Sequence, residues 1–536
     1  MAAKKSSRGW VTWAIVLGMA AILVLMWYSE DILDRWKEGR SEETDTQVQS
    51  SVQSNVPAQQ THAARQDGVS AQQLKETVVR EPLVTLKGDG KDRVTVLVYM
   101  NGSDLETQDG EATSDLGEMI TAGAGGNVTV AVETLSTKRW KSTYGISSKT
   151  AQRYEVTDRG LKLVQDGLGD LQVGEAKPLT DFIRWGAKQY PADRYILILW
   201  NHGAGPVYGY GYNDKNGSDD TLNAYEMRKA IMDAGVTFDI IGMDCCIMSS
   251  LEQCCALYDC CDYTVLSEDF ESGYGWYYTD WLKALRRNSS LSSLELGKLI
   301  VDGTVNATSR HRQNAILALI DEAYMKALYT AWVNFAYANE ETLIGTNYSR
   351  VKSRFSGGRV SPVLTENGYF KQTGRPNYTG SNLDSYFVTD IMSVARNVPG
   401  EEAEVLTAAL SHAIAYMNAY GTSANLTGLA VTLPYGDRLF YRELKEVFTD
   451  CGFDSDYVAW LEKFVGAGGS SSYYDYDDWD YEWSHGGWDD YEDYDDGGFD
   501  WLYGLLGGYD DYYYDDYEDY DDWYGGWGDS WGWAGW

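Results

Sequence analysis

The 536-residue sequence predicts an α/β domain with a mostly parallel central sheet flanked by helices. Short runs of Val, Ile and Leu recur through the middle of the chain. The stretches between them have helical length and period, the alternation that builds βαβ units. The two ends differ from this middle: residues 10–28 form an uncharged apolar run, and residues 471–536 hold almost no aliphatic side chains, so neither contributes to a packed core.

In chain order, residues 1–9 are a short basic end carrying Lys4, Lys5 and Arg8. Residues 10–28 (WVTWAIVLGMAAILVLMWY) are long enough to cross a hydrocarbon core of ~30 Å as a helix. Trp10, Trp13, Trp27 and Tyr28 sit at the run's ends as interfacial aromatics do, and Glu30 and Asp31 follow. No small-x-small cleavage pattern lies between this run and Glu30, so an uncleaved single-pass anchor is expected. The basic end then stays cytoplasmic, and everything after the anchor lies outside the cell membrane. Residues 29–90, rich in Ser and Gln, read as a stalk.

The folded domain is expected over 91–466. Its strands are read at 93–100 (RVTVLVYM), 127–135 (NVTVAVETL), 195–200 (YILILW), 238–244 (FDIIGMD), 262–267 (DYTVLS) and 428–434 (GLAVTLP). Helices are read near 179–190 and 224–234, after 246, and at 294–305, 322–338, 401–419 and 439–448. Residues 467–536 are a low-complexity tail in which 471–536 carry 21 acidic, 14 Tyr, 9 Trp and 12 Gly residues with no Lys or Arg. Such a segment is solvated. Its partner is unknown, and a surface, cations or a basic protein are the options.

The net charge of -36, from 80 acidic against 44 basic residues, excludes the positive field that holds nucleic acid. Seven cysteines are too few for a disulfide scaffold. The neighbouring pairs Cys254–Cys255 and Cys260–Cys261 read as structural disulfides or as packed thiols.

Open α/β sheets place their sites at the carboxyl ends of the strands. Two candidates stand there. One strand ends in Asn201-His202-Gly203, and the next ends in Asp244-Cys245-Cys246. A thiol beside an imidazole is the minimal apparatus for nucleophilic attack on a carbonyl. No third carboxylate stands out from the sequence. No metal-binding spacing is present either, and no cofactor is required.

The segments VLVYMNGSDLE, ILILWNHGAG, DIIGMDCCIMSSLE and SEDFESGYGWYY resemble the clostripain family of cysteine peptidases over about residues 92–466. The resemblance implies a caspase-like three-layer domain and hydrolysis of peptide bonds after Arg or Lys. It makes Cys246 the nucleophile, with Cys245 where the family carries a small residue, and His202 the acid and base. It also implies an oxyanion hole of the Gly203 and Cys246 N–H groups, and Asp244 in the pocket that selects a basic residue. Ser267, Glu268, Asp269 and Trp276 resemble the second substrate-lining loop. Family members cut themselves once between the two motifs, and Lys215–Asn216, in a polar Gly-containing loop, is the expected bond. Calcium dependence is possible by the same resemblance. The alternative is a surface-displayed binding or adhesion protein whose peptidase-like domain is inactive.

Overall fold

A computed structural model of the chain describes residues 80–123, 125–215, 221–344, 363–364, 370–371, 388–434 and 438–466. Eight strands form in succession: β1 Val94–Asn101, β2 Val128–Leu135, β3 Gln152–Thr157, β4 Gly160–Gln165, β5 Arg194–Trp200, β6 Phe238–Asp244, β7 Cys261–Leu266 and β8 Ala315–Asp321. With a ninth strand, Ile414–Tyr420, they make one sheet. From one edge to the other its order is the ninth strand, β8, β7, β6, β5, β1, β2, β3, β4.

The five strands from β7 to β2 are parallel, whereas β3, β4, β8 and the ninth strand run antiparallel at the margins. The sheet is therefore mixed, which corrects the mostly parallel expectation. The margins escaped notice for a physical reason. Parallel strands are buried on both faces and read as continuous apolar runs, while a hairpin such as β3–β4 leaves polar and half-exposed positions.

The sheet divides two cores, so the domain has three layers. Leu97, Tyr99, Leu197, Leu199, Ile241 and Met243 face one core, under helices that include Ala176–Gln189, Ala224–Ala234, Met325–Ala338 and Ser455–Gly466. Val96, Val98, Met100, Ile196, Ile198 and Ile240 face the other, under Glu111–Ala122, Tyr278–Arg287 and Ser293–Arg310. This is the period of two that a strand imposes.

The helix expected over 401–419 ends at Ala413, and the chain continues as the ninth strand. Tyr416 and Asn418 there donate to the Asp302 carboxylate at 2.8 Å each, and the backbone completes the open edge of β8. Contacts with the domain begin before residue 91, since the Leu83 and Val84 N–H groups donate to Asp262. Among the described residues no helix is long and apolar enough to cross a membrane. The proposed anchor at 10–28, the stalk up to residue 79 and the tail lie outside the described residues.

Candidate active site

β1, β5 and β6 are adjacent and parallel, so their carboxyl ends share one rim. Trp200 pairs with Asp244, which sets His202 and the turn after β6 side by side. The alternation of β6 sends Met243 and Cys245 into one core and turns Asp244 the other way. Cys245 is buried and its thiol donates to the Leu199 carbonyl at 3.3 Å. Cys246 is half-buried, and its Sγ accepts the Glu271 N–H at 3.3 Å. Burial and the neighbouring Glu271 carboxylate push the Cys246 thiol up to about 12.

The turn is held from two sides. Ile247 carries a φ of 60°, sparsely populated for a β-branched residue, and its N–H donates to the Asp269 carbonyl at 3.1 Å. Ser249 binds the Ser267 carbonyl through its N–H and the Gly428 carbonyl through its hydroxyl.

His202 is 7% exposed. Its Nε2 lies 2.9 Å from Asp104 Oδ1, and the same oxygen accepts the Ser103 hydroxyl at 2.9 Å. Burial opposes the charge of Asp104, but the imidazole and the hydroxyl outweigh it and hold the carboxyl below its usual range. Asp104 follows β1, the strand next to β5, so the sheet itself delivers it. Gly203 is required by packing: a Cβ there would lie 2.2 Å from the Cys246 carbonyl oxygen and 2.9 Å from Cys245 Cβ. The space beside Gly203 is thus filled by the cysteine turn.

Asp244, buried behind the thiol, accepts the Tyr278 hydroxyl at 2.8 Å and the Trp276 N–H at 3.2 Å. It has company that the sequence reading missed. Asp115 and Asp244 both lie within 3.3 Å of the point where a Gly275 Cβ would stand. Asp115 also accepts the Trp200 indole N–H at 2.7 Å, and Glu271 accepts that of Trp276 at 3.2 Å. Glu118 accepts the Tyr278 N–H at 2.8 Å. Burial raises Asp244, Glu111 and Glu118 to about 7, and burial with Asp244 nearby raises Asp115 and Glu271 well above the usual carboxylate range. Among the described residues none of these five carboxyls forms an ion pair with Lys or Arg. A signal was present: Glu111, Asp115 and Glu118 are spaced four and three apart, which puts them on one helix face.

Trp276 is fully buried, its ring lying where a side chain on Gly242 would stand, and it walls the carboxyl group. Ser267, Glu268 and Asp269 are also buried, with side chains turned into the protein. Ser267 donates to the Asp269 and Ile316 carbonyls, Glu268 accepts the Gly428 N–H, and Asp269 accepts the Ser423 hydroxyl. The Asp269 and Ser267 carbonyls brace the cysteine turn by accepting the Ile247 and Ser249 N–H groups. Lys215 is paired to Asp170 at 2.9 Å, and Asn216 lies outside the described residues.

All seven cysteines are free, so the reading of Cys254, Cys255, Cys260 and Cys261 as packed thiols holds and the disulfides do not form. Among the described residues no three His, Cys, Asp or Glu side chains are arranged to hold a metal ion.

Residues 98–494 match the model of the clostripain family of peptidases. The chain therefore belongs to the clostripain family, and it is a cysteine peptidase. Solved structures similar to it include a secreted C11 cysteine protease from Bacteroides thetaiotaomicron in complex with an irreversible peptide inhibitor, at 16% identity and a TM-score of 0.49, covering 68% of this chain and 99% of that one. An inactive zymogen C11 protease from Parabacteroides distasonis is similar at 16% identity and a TM-score of 0.45, covering 67% and 98%. No curated protein matches the sequence.

Proposed function

We propose that this chain is an endopeptidase, anchored in the cell membrane through residues 10–28, that cuts after Arg or Lys with Cys246 and His202. The observation that carries the specificity is the buried group Asp244, Asp115 and Glu271, which has no cation of its own beside the half-buried thiol. A substrate guanidinium or ammonium entering there lets carboxyls ionise that burial otherwise keeps protonated. The choice of Cys246 over Cys245 is supported by their surroundings, since the Cys245 thiol faces a core and the Leu199 carbonyl.

The chemistry follows by proton bookkeeping. The Cys246 thiol proton passes to His202 as sulfur bonds to the peptide carbonyl carbon, and the imidazolium then protonates the leaving amine as the C–N bond breaks. Water, deprotonated by His202, cleaves the thioester and regenerates the thiol. The Glu271 N–H already points at sulfur and favours the thiolate. Among the described residues neither the Gly203 nor the Cys246 N–H finds an acceptor within the protein, which suits an oxyanion hole. Asp104 orients His202.

Lys215–Asn216 is the proposed site of self-cleavage, because Arg228 and Lys229, the other basic residues between the motifs, lie within the Ala224–Ala234 helix. The test is hydrolysis of small Arg-, Lys- and neutral-ending amide substrates by the full chain. Arg and Lys substrates should be cleaved, Cys246→Ala should be inactive, and Asp244→Asn should lose basic substrates by far more than ~tenfold. KM for them should rise as pH falls below about 7, where Asp244 takes up its proton. Equal cleavage of neutral substrates overturns the specificity.

A further inference from the structure

One feature of the rim serves neither the thiol nor the carboxyl pocket. Just past β2, Lys138-Arg139-Trp140-Lys141 places three cations in four residues of a chain whose net charge is -36. The segment is fixed in place. The Lys138 N–H donates to Asp214 at 2.9 Å, the Arg139 N–H to the Thr107 hydroxyl at 3.3 Å and the Lys141 N–H to Glu106 at 2.7 Å. Trp140 is 7% exposed and packs over Gly102, where a Cβ would lie 2.9 Å from the indole.

The nearby carboxylates are thus used by backbone. The side-chain cations are left over: Lys138 and Arg139 are exposed, Lys141 Nζ donates to the Gln108 carbonyl and the Arg139 guanidinium to that of Thr107. Among the described residues none of the three forms an ion pair. Arg139 and Lys141 are also held against the residues 104–109 that follow β1, the segment that supplies Asp104 to His202.

The order of strands gives this patch a direction. Along the rim stand Cys246 after β6, His202 after β5, Asp104 after β1 and then the basic segment after β2. The general acid must reach the leaving nitrogen, so the departing half of a substrate extends from Cys246 toward His202 and beyond. Neighbouring strands are about 4.8 Å apart, so β2 lies roughly 10 Å past β5, which an extended chain at ~3.3 Å per residue covers in about three residues.

We infer that Lys138, Arg139 and Lys141 form a subsite for acidic side chains at about the second to fourth positions on the C-terminal side of the cleaved bond. The substrate class is a polypeptide in which a basic residue is followed closely by Asp or Glu. This rests on the proposed cleavage after Arg or Lys.

The test uses the full chain and three Arg substrates: a single-residue amide, a peptide with Ser and Gly after the cut, and one with Asp and Glu there. The amide gives each protein's reference rate, so a general loss of catalysis divides out. The acidic peptide should exceed the neutral one roughly tenfold in kcat/KM at low salt, as a few partly exposed ion pairs allow, and the margin should shrink as salt screens them. The triple variant Lys138→Gln, Arg139→Gln, Lys141→Gln should lose the margin. Equal rates in the natural protein overturn the inference, as does an acidic preference that survives in the variant. Failure to cleave any Arg or Lys substrate overturns the proposed function instead.

Discussion

Asp104 and Asp244 show how two carboxyls a few strands apart are tuned in opposite directions. Asp104 meets an imidazole and a hydroxyl and is held low, whereas burial drives Asp244 up to about 7. Replacing Asp104 by Asn should lower kcat by roughly tenfold or more with KM nearly unchanged, because the ring loses its orienting charge and the pocket does not. A second readout separates this from simple damage. A carboxyl held low contributes stability above the usual carboxylate value of about 4 and loses it as pH falls through the folded value. The variant should therefore show a smaller loss of Tm on acidification below about pH 4, and an equal loss would remove the charge from this account. His202 and both cysteines were legible because strand-end motifs announce themselves. Asp104 was not, because a sequence shows where β1 ends but not that β1 lies beside β5.

At the scale of elements, the strand Ile414–Tyr420 is the instructive case. Its residues continue an apolar helical pattern from the preceding Glu401–Ala413, so local signals favour helix. The exposed edge of β8 and the Asp302 carboxylate decide otherwise, a tertiary preference outweighing a local one. Asp302→Ala removes the acceptor of both side-chain hydrogen bonds and should cost about 1–3 kcal/mol in urea unfolding. Faster amide exchange should be confined to 414–420 and its partner β8. A uniform acceleration across the sheet would mean that the strand has no separate anchor. The continuous runs of β1, β2, β5 and β6 were read nearly to the residue, since burial on both faces leaves little ambiguity about where such strands begin and end.

For the molecule as a whole, burying so many carboxyls has a consequence for stability. Glu111, Glu118, Asp244 and Glu252 are raised to about 7, each chiefly by burial. The folded state then holds more protons than the unfolded state between about pH 4 and 7, so stability falls as pH rises through that window. The Tm should be higher near pH 5 than near pH 8, and a rise across that interval would contradict the assignment. The sequence conveyed the acidity but not where it is concentrated, because only the packing of the Glu111–Ala122 helix against the Tyr278–Arg287 helix, with Asp115 bonded to Trp200 at the end of β5, brings those side chains to Asp244. The antiparallel margins were hidden for a related reason: half-exposed strands carry the same mixed composition as loops.

Cys245 and Cys246 are chemically identical neighbours, and nothing in either residue says which is to react. The distinction is made by β6, whose register against β5 and β7 turns one thiol to the core and leaves the other at the rim. Whether a sulfur faces the core or the rim is thus decided just past the end of a strand. Sliding β6 by a single residue would turn every side chain of the strand to the opposite face, sending Asp244 toward the core that now holds Cys245. The hydrogen bonds of the parallel sheet therefore set which of the two thiols faces the rim, in addition to holding the domain together.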